Sequence, residues 1–251
     1  MIDTHAHIDD PQYAEHFDDF IAAQKAAGVT AILVPGTELD SLTAVPKVCE
    51  RYPDYLFPAI GLHPENVGAD YKDVLDRMEA ALDKHPWIAI GEIGLDYHFD
   101  TTYKSEQQDA FRRQLRWAVE RNLPVMIHSR DATEDCLDIL RETNVRGVMH
   151  CYSGSYETAR QIIDLGLYLG IGGVLTFKNC KLRETLARIP LSSLVLETDA
   201  PYMAPVPHRG QLNESRFMVH VVDMLADIYC TTPAGIDAVT TANAKALFGI
   251  K

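Results

Sequence analysis

The chain has 251 residues, 47% of them hydrophobic and 24% charged, the make-up of an ordinary globular protein rather than a fibrous or largely disordered one. Its formal net charge of −13 repels a polyanion over most of the surface and excludes a protein that coats nucleic acid, since such affinity comes from phosphate neutralisation by Lys and Arg; a cleft made locally positive by metal ions stays open. No apolar run approaches the ~18 residues of a membrane span, Met1-Ile2-Asp3-Thr4-His5 carries no basic or apolar leader, and the five cysteines have no paired spacing, so a cytoplasmic protein with reduced thiols and no membrane association is expected.

Along the chain, short β-rich runs alternate with amphipathic segments. A strand over Ile2–Ile8 precedes a helical pattern over Phe17–Ala27, and strands at Ala31–Pro35 and Leu56–Leu62 precede a helix over Val74–Lys84. Strand Ile88–Ile93 and helix Ser105–Arg121 come next, then strand Val125–His128 with helix Glu134–Glu142, and strand Gly147–His150 with helix Tyr156–Leu165. Strand Leu167–Ile171, helix Lys181–Ile189 and strand Leu194–Glu197 complete the alternation. A last helix over Pro233–Phe248 starts at Thr232-Pro233, with Pro at its first position, and is expected to cover the outer wall. Eight strands interleaved with helices predict parallel pairing and right-handed crossovers. With no linker or composition shift, the expectation is one α/β domain over residues 1–251, a (β/α)8 TIM-type barrel with an extra C-terminal helix. A doubly wound open sheet permits the same alternation. The barrel is favoured because polar residues stand at the carboxyl end of nearly every strand, and in a barrel those ends meet at one mouth.

Those polar residues carry the chemistry. His5 and His7 stand two apart on the first strand and so share a face. Glu92 sits inside the apolar run Ile90-Gly91-Glu92-Ile93-Gly94, His128 follows Pro124-Val125-Met126-Ile127, His150 follows Gly147-Val148-Met149, and Asp199 closes Leu194-Val195-Leu196-Glu197-Thr198-Asp199. Four imidazoles and two carboxylates would then point into one cavity, where charge is costly unless paired or metal-bound. Six N/O donors without sulfur suit zinc, manganese or magnesium and exceed the need of a single tetrahedral ion. Two ions ~3.5–4 Å apart across a shared carboxylate is the economical arrangement for hydrolysing phosphate esters, and Glu92 is the candidate bridge.

At these positions the chain resembles the TatD family of metal-dependent deoxyribonucleases, within the amidohydrolase-type barrels. The resemblance runs nearly end to end: Ile2-Asp3-Thr4-His5-Ala6-His7, Gly61-Leu62-His63-Pro64, Gly91-Glu92-Ile93-Gly94-Leu95-Asp96-Tyr97, Pro124 through Arg130, His150-Cys151-Tyr152-Ser153-Gly154 and Leu196-Glu197-Thr198-Asp199-Ala200-Pro201-Tyr202. It implies one metal held by His5, His7, Glu92 and Asp199 and a second by Glu92, His128 and His150, with magnesium, manganese or zinc as the ion. It also implies DNA, as single strands or 3′ ends, as the partner, and exonuclease action from the 3′ end. The run His208-Arg209-Gly210-Gln211-Leu212-Asn213-Glu214 departs from the family's usual Arg-Gly-Lys, charged residue, Asn by losing charge at Gln211 and Leu212.

The chemistry expected is attack of a hydroxide, lodged between the two ions, on phosphorus, with Asp199 either a ligand only or also the general base. His63 and Arg209, on loops of the same mouth, are candidates to hold a substrate phosphate. Glu197 either orients a metal ligand or pairs with a buried cation. His63, His98, Lys104, Arg130, Lys178, Lys181, His208 and Arg209 gather on loops of this face, while many acids fall on helices, so a small positive funnel in a negative body is expected. The same bridged hydroxide could attack a carbonyl, which makes hydrolysis of an amide or ester, such as an aminoacyl ester on tRNA, the alternative activity. A non-catalytic metal-dependent scaffold is the alternative from another class.

Overall fold

The computed structural model describes residues 1–251. Its strands are β1 (Ile2–Asp3), β2 (Ala31–Val34), β3 (Leu56–Ile60), β4 (Ala89–Asp96), β5 (Val125–Arg130), β6 (Gly147–Met149), β7 (Tyr168–Ile171) and β8 (Leu194–Leu196). They form one sheet in chain order, every neighbouring pair parallel. β2, β4, β6 and β8 are buried along their whole length, as parallel strands covered on both faces must be. The first strand returns to the last: the Thr4 amide donates to the Leu196 carbonyl at 3.0 Å and the His7 amide to the Ala200 carbonyl at 2.7 Å. The result is a (β/α)8 barrel.

The first strand is shorter than its sequence pattern predicts. After Asp3 the chain bends at Thr4 and leaves the regular strand, but it stays tied to both neighbours by single backbone bonds and forms an isolated bridge between Ala6 and Ala200. The cause is local. Asp3 turns its carboxylate to the His5 amide and to Thr198, which competes with strand pairing in the way short acidic side chains do.

Helices α1 (Phe17–Ala26), α2 (Ser41–Cys49), α3 (Tyr71–Glu79), α4 (Lys104–Arg121), α5 (Thr133–Arg141), α6 (Tyr156–Asp164), α7 (Leu182–Leu186) and α8 (Met218–Ile228) bury apolar faces in the main core. The final helix, α9 (Pro233–Phe248), begins as the sequence suggests: Thr232 caps it by accepting from the Gly235 amide, and Pro233 supplies the fixed φ of the first turn. Its position differs in part from the one expected. Ala244, Leu247 and Phe248 join Ile2, Ala31, Leu33, Ala59, Ala89, Met126, Val148 and Val195 in a separate cluster made of the strand residues that do not face the main core. Thus the last turns of α9 close the amino-terminal end of the barrel, while Ile236 in its first half joins α8 in the main core outside the strands.

One close approach fixes how β4 and β5 present their side chains at the carboxyl-terminal end. The β4–β5 register shifts between Ile90 and Ile93, and Gly94 adopts φ +145°, where a Cβ would lie 2.0 Å from the His128 carbonyl oxygen. No other residue fits that conformation and that gap. Gly94→Ala should therefore lower the thermal midpoint by roughly 5 °C or more, measured by calorimetry; an unchanged midpoint would show that β5 can move aside without cost.

Candidate metal centre

Seven side chains reach the mouth from separate strand ends. His5 and His7 come from the segment after β1, His63 from the turn after β3, Glu92 from β4 and His128 from β5, while His150 follows β6 directly and Asp199 lies three residues past the end of β8. His5 and Glu92 are sealed from solvent, at 0% and 4% side-chain exposure; Asp199, at 18%, meets the opening.

The carboxylate of Glu92 organises the cluster, and its two oxygens face different nitrogens. Oε2 lies 3.1 Å from His5 Nε2 and 3.5 Å from His7 Nε2. Oε1 lies 2.9 Å from His150 Nε2, 3.0 Å from His128 Nδ1 and 3.4 Å from His63 Nε2. Asp199 Oδ1 stands on the Oε2 side, 3.9 Å from His5 Nε2 and 3.7 Å from His7 Nε2. Three overlapping groups have donor atoms close enough to share an ion: His5, His7 and Asp199; His5, Glu92 and His150; His63, Glu92 and His128.

Hydrogen-bond partners assign the ring protons. His128 Nε2 lies 2.8 Å from Asp96 Oδ2. A carboxylate only accepts, so that nitrogen carries hydrogen; Nδ1, 3.0 Å from the Glu92 carboxylate, either carries a second proton or gives its lone pair to a cation lying between them. His150 turns Nδ1 toward Glu197 Oε1 at 3.7 Å, leaving Nε2 inward; Glu197 itself is fixed by the Cys151 amide, which donates to it at 2.6 Å. His63 is the opposite case. Its Nδ1 accepts from the Glu65 amide at 3.2 Å, so the hydrogen sits on Nε2 and points into the cluster. In that tautomer His63 is a hydrogen-bond donor, not a metal ligand, despite its distance from Glu92.

Burial would raise the pKa of Glu92, yet the fields of His150, His63 and His5 and the bond to His128 hold it well below the usual carboxylate range. His150 moves the other way: burial alone would depress it, but the negative charges of Glu92 and of nearby Glu197 raise it well above an ordinary histidine. His5 is lowered, by burial first and then by His150. Imidazole lone pairs aimed at a buried carboxylate oxygen repel it unless protons or cations lie between. His5 Nδ1, His150 Nδ1 and Glu197 Oε2 are buried without a hydrogen-bond partner. This set of N and O donors, with no sulfur, fits divalent cations.

All six residues suggested as ligands by the sequence are brought into this cluster, with His63 beside them. Arg209 is not. Its guanidinium stacks 4.0 Å over Phe177 and donates to the Ala204 carbonyl at 3.0 Å. Neither is it tied to Glu214, which pairs with Arg216 at 2.8 Å. The funnel of positive charge is thinner than the loop sequences imply: His98 pairs with Asp131 at 2.6 Å and Lys104 with Asp135 at 2.8 Å.

Two acids escaped the sequence reading. Asp96 closes β4 four residues after Glu92, an even spacing that could have flagged it. Asp3 is fully buried and its carboxyl is pushed up to about 7 by burial. It accepts from Ser215 Oγ at 2.6 Å and Thr198 Oγ1 at 2.7 Å, tying β1 to the segment that carries Asp199. An acid two residues before His5 in an apolar strand was its available signal.

Comparison with known proteins identifies the family of the chain. A family model described as TatD related DNase matches residues 2–249. The chain is 39% identical over 254 residues to the metal-dependent hydrolase YabD of Bacillus subtilis, covering 100% of this chain and 99% of that one. It is 34% identical over 259 residues to the 3′-5′ ssDNA/RNA exonuclease TatD of Citrobacter koseri, covering 100% and 99%. A crystal structure of a TatD homologue from Escherichia coli K12 superposes with a TM-score of 0.94 at 32% identity, covering 100% of this chain and 98% of that one.

If Glu92 is the source of the elevated His150 pKa, Glu92→Gln should lower it in chelator-treated protein, read from the imidazole signals of His150 by NMR titration. A titration unmoved by the substitution would assign the elevation to Glu197 instead.

Proposed function

Because the chain belongs to the TatD related DNase family and is a metal-dependent hydrolase, we propose that it cleaves phosphodiester bonds in DNA, removing nucleotides from the 3′ ends of single strands. His5, His7, Glu92 and Asp199 would hold one divalent ion, and Glu92, His128 and His150 would hold a second. The observation that carries this is the division of nitrogens between the two oxygens of Glu92, which suits a carboxylate shared by two ions. The exonuclease name of the Citrobacter koseri relative supports the choice of substrate.

Bound magnesium, manganese or zinc would supply positive charge at the phosphoryl oxygens and lower the pKa of the attacking water. The residues do the rest. Glu92, sealed from solvent, keeps its charge at neutral pH because imidazoles surround it. Asp96 fixes the ring of His128 by a hydrogen bond, and the charge of Glu197, 3.7 Å from His150 Nδ1, favours the ring orientation that leaves Nε2 inward. Asp199, at the opening, takes the proton of the attacking water. His63, its Nδ1 held by the Glu65 amide, directs Nε2–H to a phosphoryl oxygen as it turns negative. Arg209 would have to give up Phe177 and the Ala204 carbonyl to join them, so its part in substrate grip is secondary. No helix is long and apolar enough to cross a membrane.

End-labelled single- and double-stranded DNA, offered with magnesium, manganese and zinc in turn, tests this. Single strands should shorten stepwise from the 3′ end. Glu92→Ala should lose more than ~100-fold of the rate together with bound metal by elemental analysis, while circular dichroism shows the barrel intact. Absence of cleavage with all three metals, or full metal content in an active Glu92→Ala protein, would overturn it.

A further inference from the structure

Few large apolar side chains of this protein stand exposed, and three of them lie on loops at the carboxyl ends of β4 and β8. Phe99 is 72% exposed on the loop after β4, while Tyr202 and Val206, at 57% and 47%, lie on the loop after β8. In an eight-stranded ring, β4 and β8 are diametrically opposed. The two aromatic rings therefore flank the Glu92 cluster from opposite sides. On the Tyr202 side the ring stands 6.4 Å from that of His7, centroid to centroid. On the Phe99 side the connection runs through Asp96, which both binds His128 and lines the cleft that Phe99 borders.

Exposed aromatics cost free energy in water unless a ligand covers them. Phe99 is also prepared for stacking: the Arg130 guanidinium sits over its ring at 4.7 Å and has no carboxylate partner, and His98 meets it edge-on at 4.7 Å. The cleft beside it measures about 470 Å³ and is walled by Asn66, Tyr103 and Gln107 together with the acids Glu65, Asp96 and Asp100. No cation lines it. Three carboxylates reject a phosphate, whereas a neutral planar ring with polar edges meets an aromatic face and two side-chain amides. Those are the properties of a nucleobase, and aromatic faces with an adjacent Arg are how single strands are held without reading sequence.

We propose that Phe99 and Tyr202 are base-stacking platforms on either side of the scissile phosphodiester, with the base on the β4 side seated in the Phe99 cleft. This rests on the nuclease reading above and deepens it: a strand crosses the mouth from β4 to β8, its phosphate at the Glu92 cluster and its bases splayed onto the two rings. Paired bases cannot present their faces to these platforms, so the same two side chains select single strands. Being sequence-tolerant, the stacking would be shared by DNA and RNA strands.

The test uses the full-length protein with two probes of equal length, an oligothymidylate and an oligomer of abasic sites on the same phosphodiester backbone. Tryptophan fluorescence of the Phe99→Trp protein should be quenched by oligothymidylate and not by the abasic oligomer; the native Trp87 and Trp117 are 6% and 2% exposed and serve as the silent background. Phe99→Ala and Tyr202→Ala should each raise KM for oligothymidylate about tenfold with kcat little changed and with metal content intact, while leaving the abasic oligomer unaffected. Restoration by Phe99→Trp is expected. Cleavage without quenching, or equal losses on both oligomers, would overturn the platforms and leave the nuclease reading standing. Quenching without cleavage would keep the platforms and overturn the nuclease.

Discussion

A carboxylate withdrawn from water inside a barrel has to be neutralised where it stands. Glu92, 4% exposed, meets this condition through imidazoles that arrive from the ends of other strands, and the architecture of the mouth follows from bringing them to it. The register shift in β4, the left-handed Gly94 beside His128 and the segment after β1 each place a side chain within hydrogen-bond range of one of its two oxygens. A further layer of acids holds the rings in turn: Asp96 on His128, Glu197 near His150, and Asp3 beneath the strand that bears His5. Breaking one of these contacts leaves a charged or polar group buried without its partner, which costs far more than the contact is worth in isolation.

The two ends of the barrel divide labour. At the amino end α9 fills the opening with Leu247 and Phe248, and the Met1 ammonium pairs with Asp237 of the same helix. At the carboxyl end apolar packing gives way to an ionic cluster whose stabilisation depends on its protons or on cations that replace them. Because imidazole must lose its proton to bind a metal, and because His150 holds its proton more tightly than an ordinary histidine, metal binding here is coupled to proton release.

Much of the barrel was legible from the chain. The alternation of buried strands with amphipathic helices carries the eight-fold topology, and Thr232-Pro233 marks the start of α9 to the residue. What α9 packs against was not legible, since its pattern of Ala, Thr and Gly residues defines a helix but not the surface it meets. The first strand read too long because its apolar rhythm continues past Asp3, where side-chain bonds to Thr198 and Ser215 replace the ladder. At the site, strand-end histidines and acids stand out against apolar runs. Asp96 and the platform at Phe99 do not, because their partners His128 and Arg130 lie more than thirty residues away in sequence and only the folded β4–β5 pair joins them. Arg209 illustrates the converse: a basic residue in the right loop, whose guanidinium is spent on Phe177 and a carbonyl.

The division of Glu92 into two oxygens serving two sets of nitrogens is the centre of this account, and anomalous scattering recorded at the metal edge from crystals of the purified protein tests it most directly. Two peaks are expected, one on either side of the Glu92 carboxylate, the first bordered by His5, His7 and Asp199 and the second by His128 and His150. One peak alone, or ions bound without contact to Glu92, would contradict it.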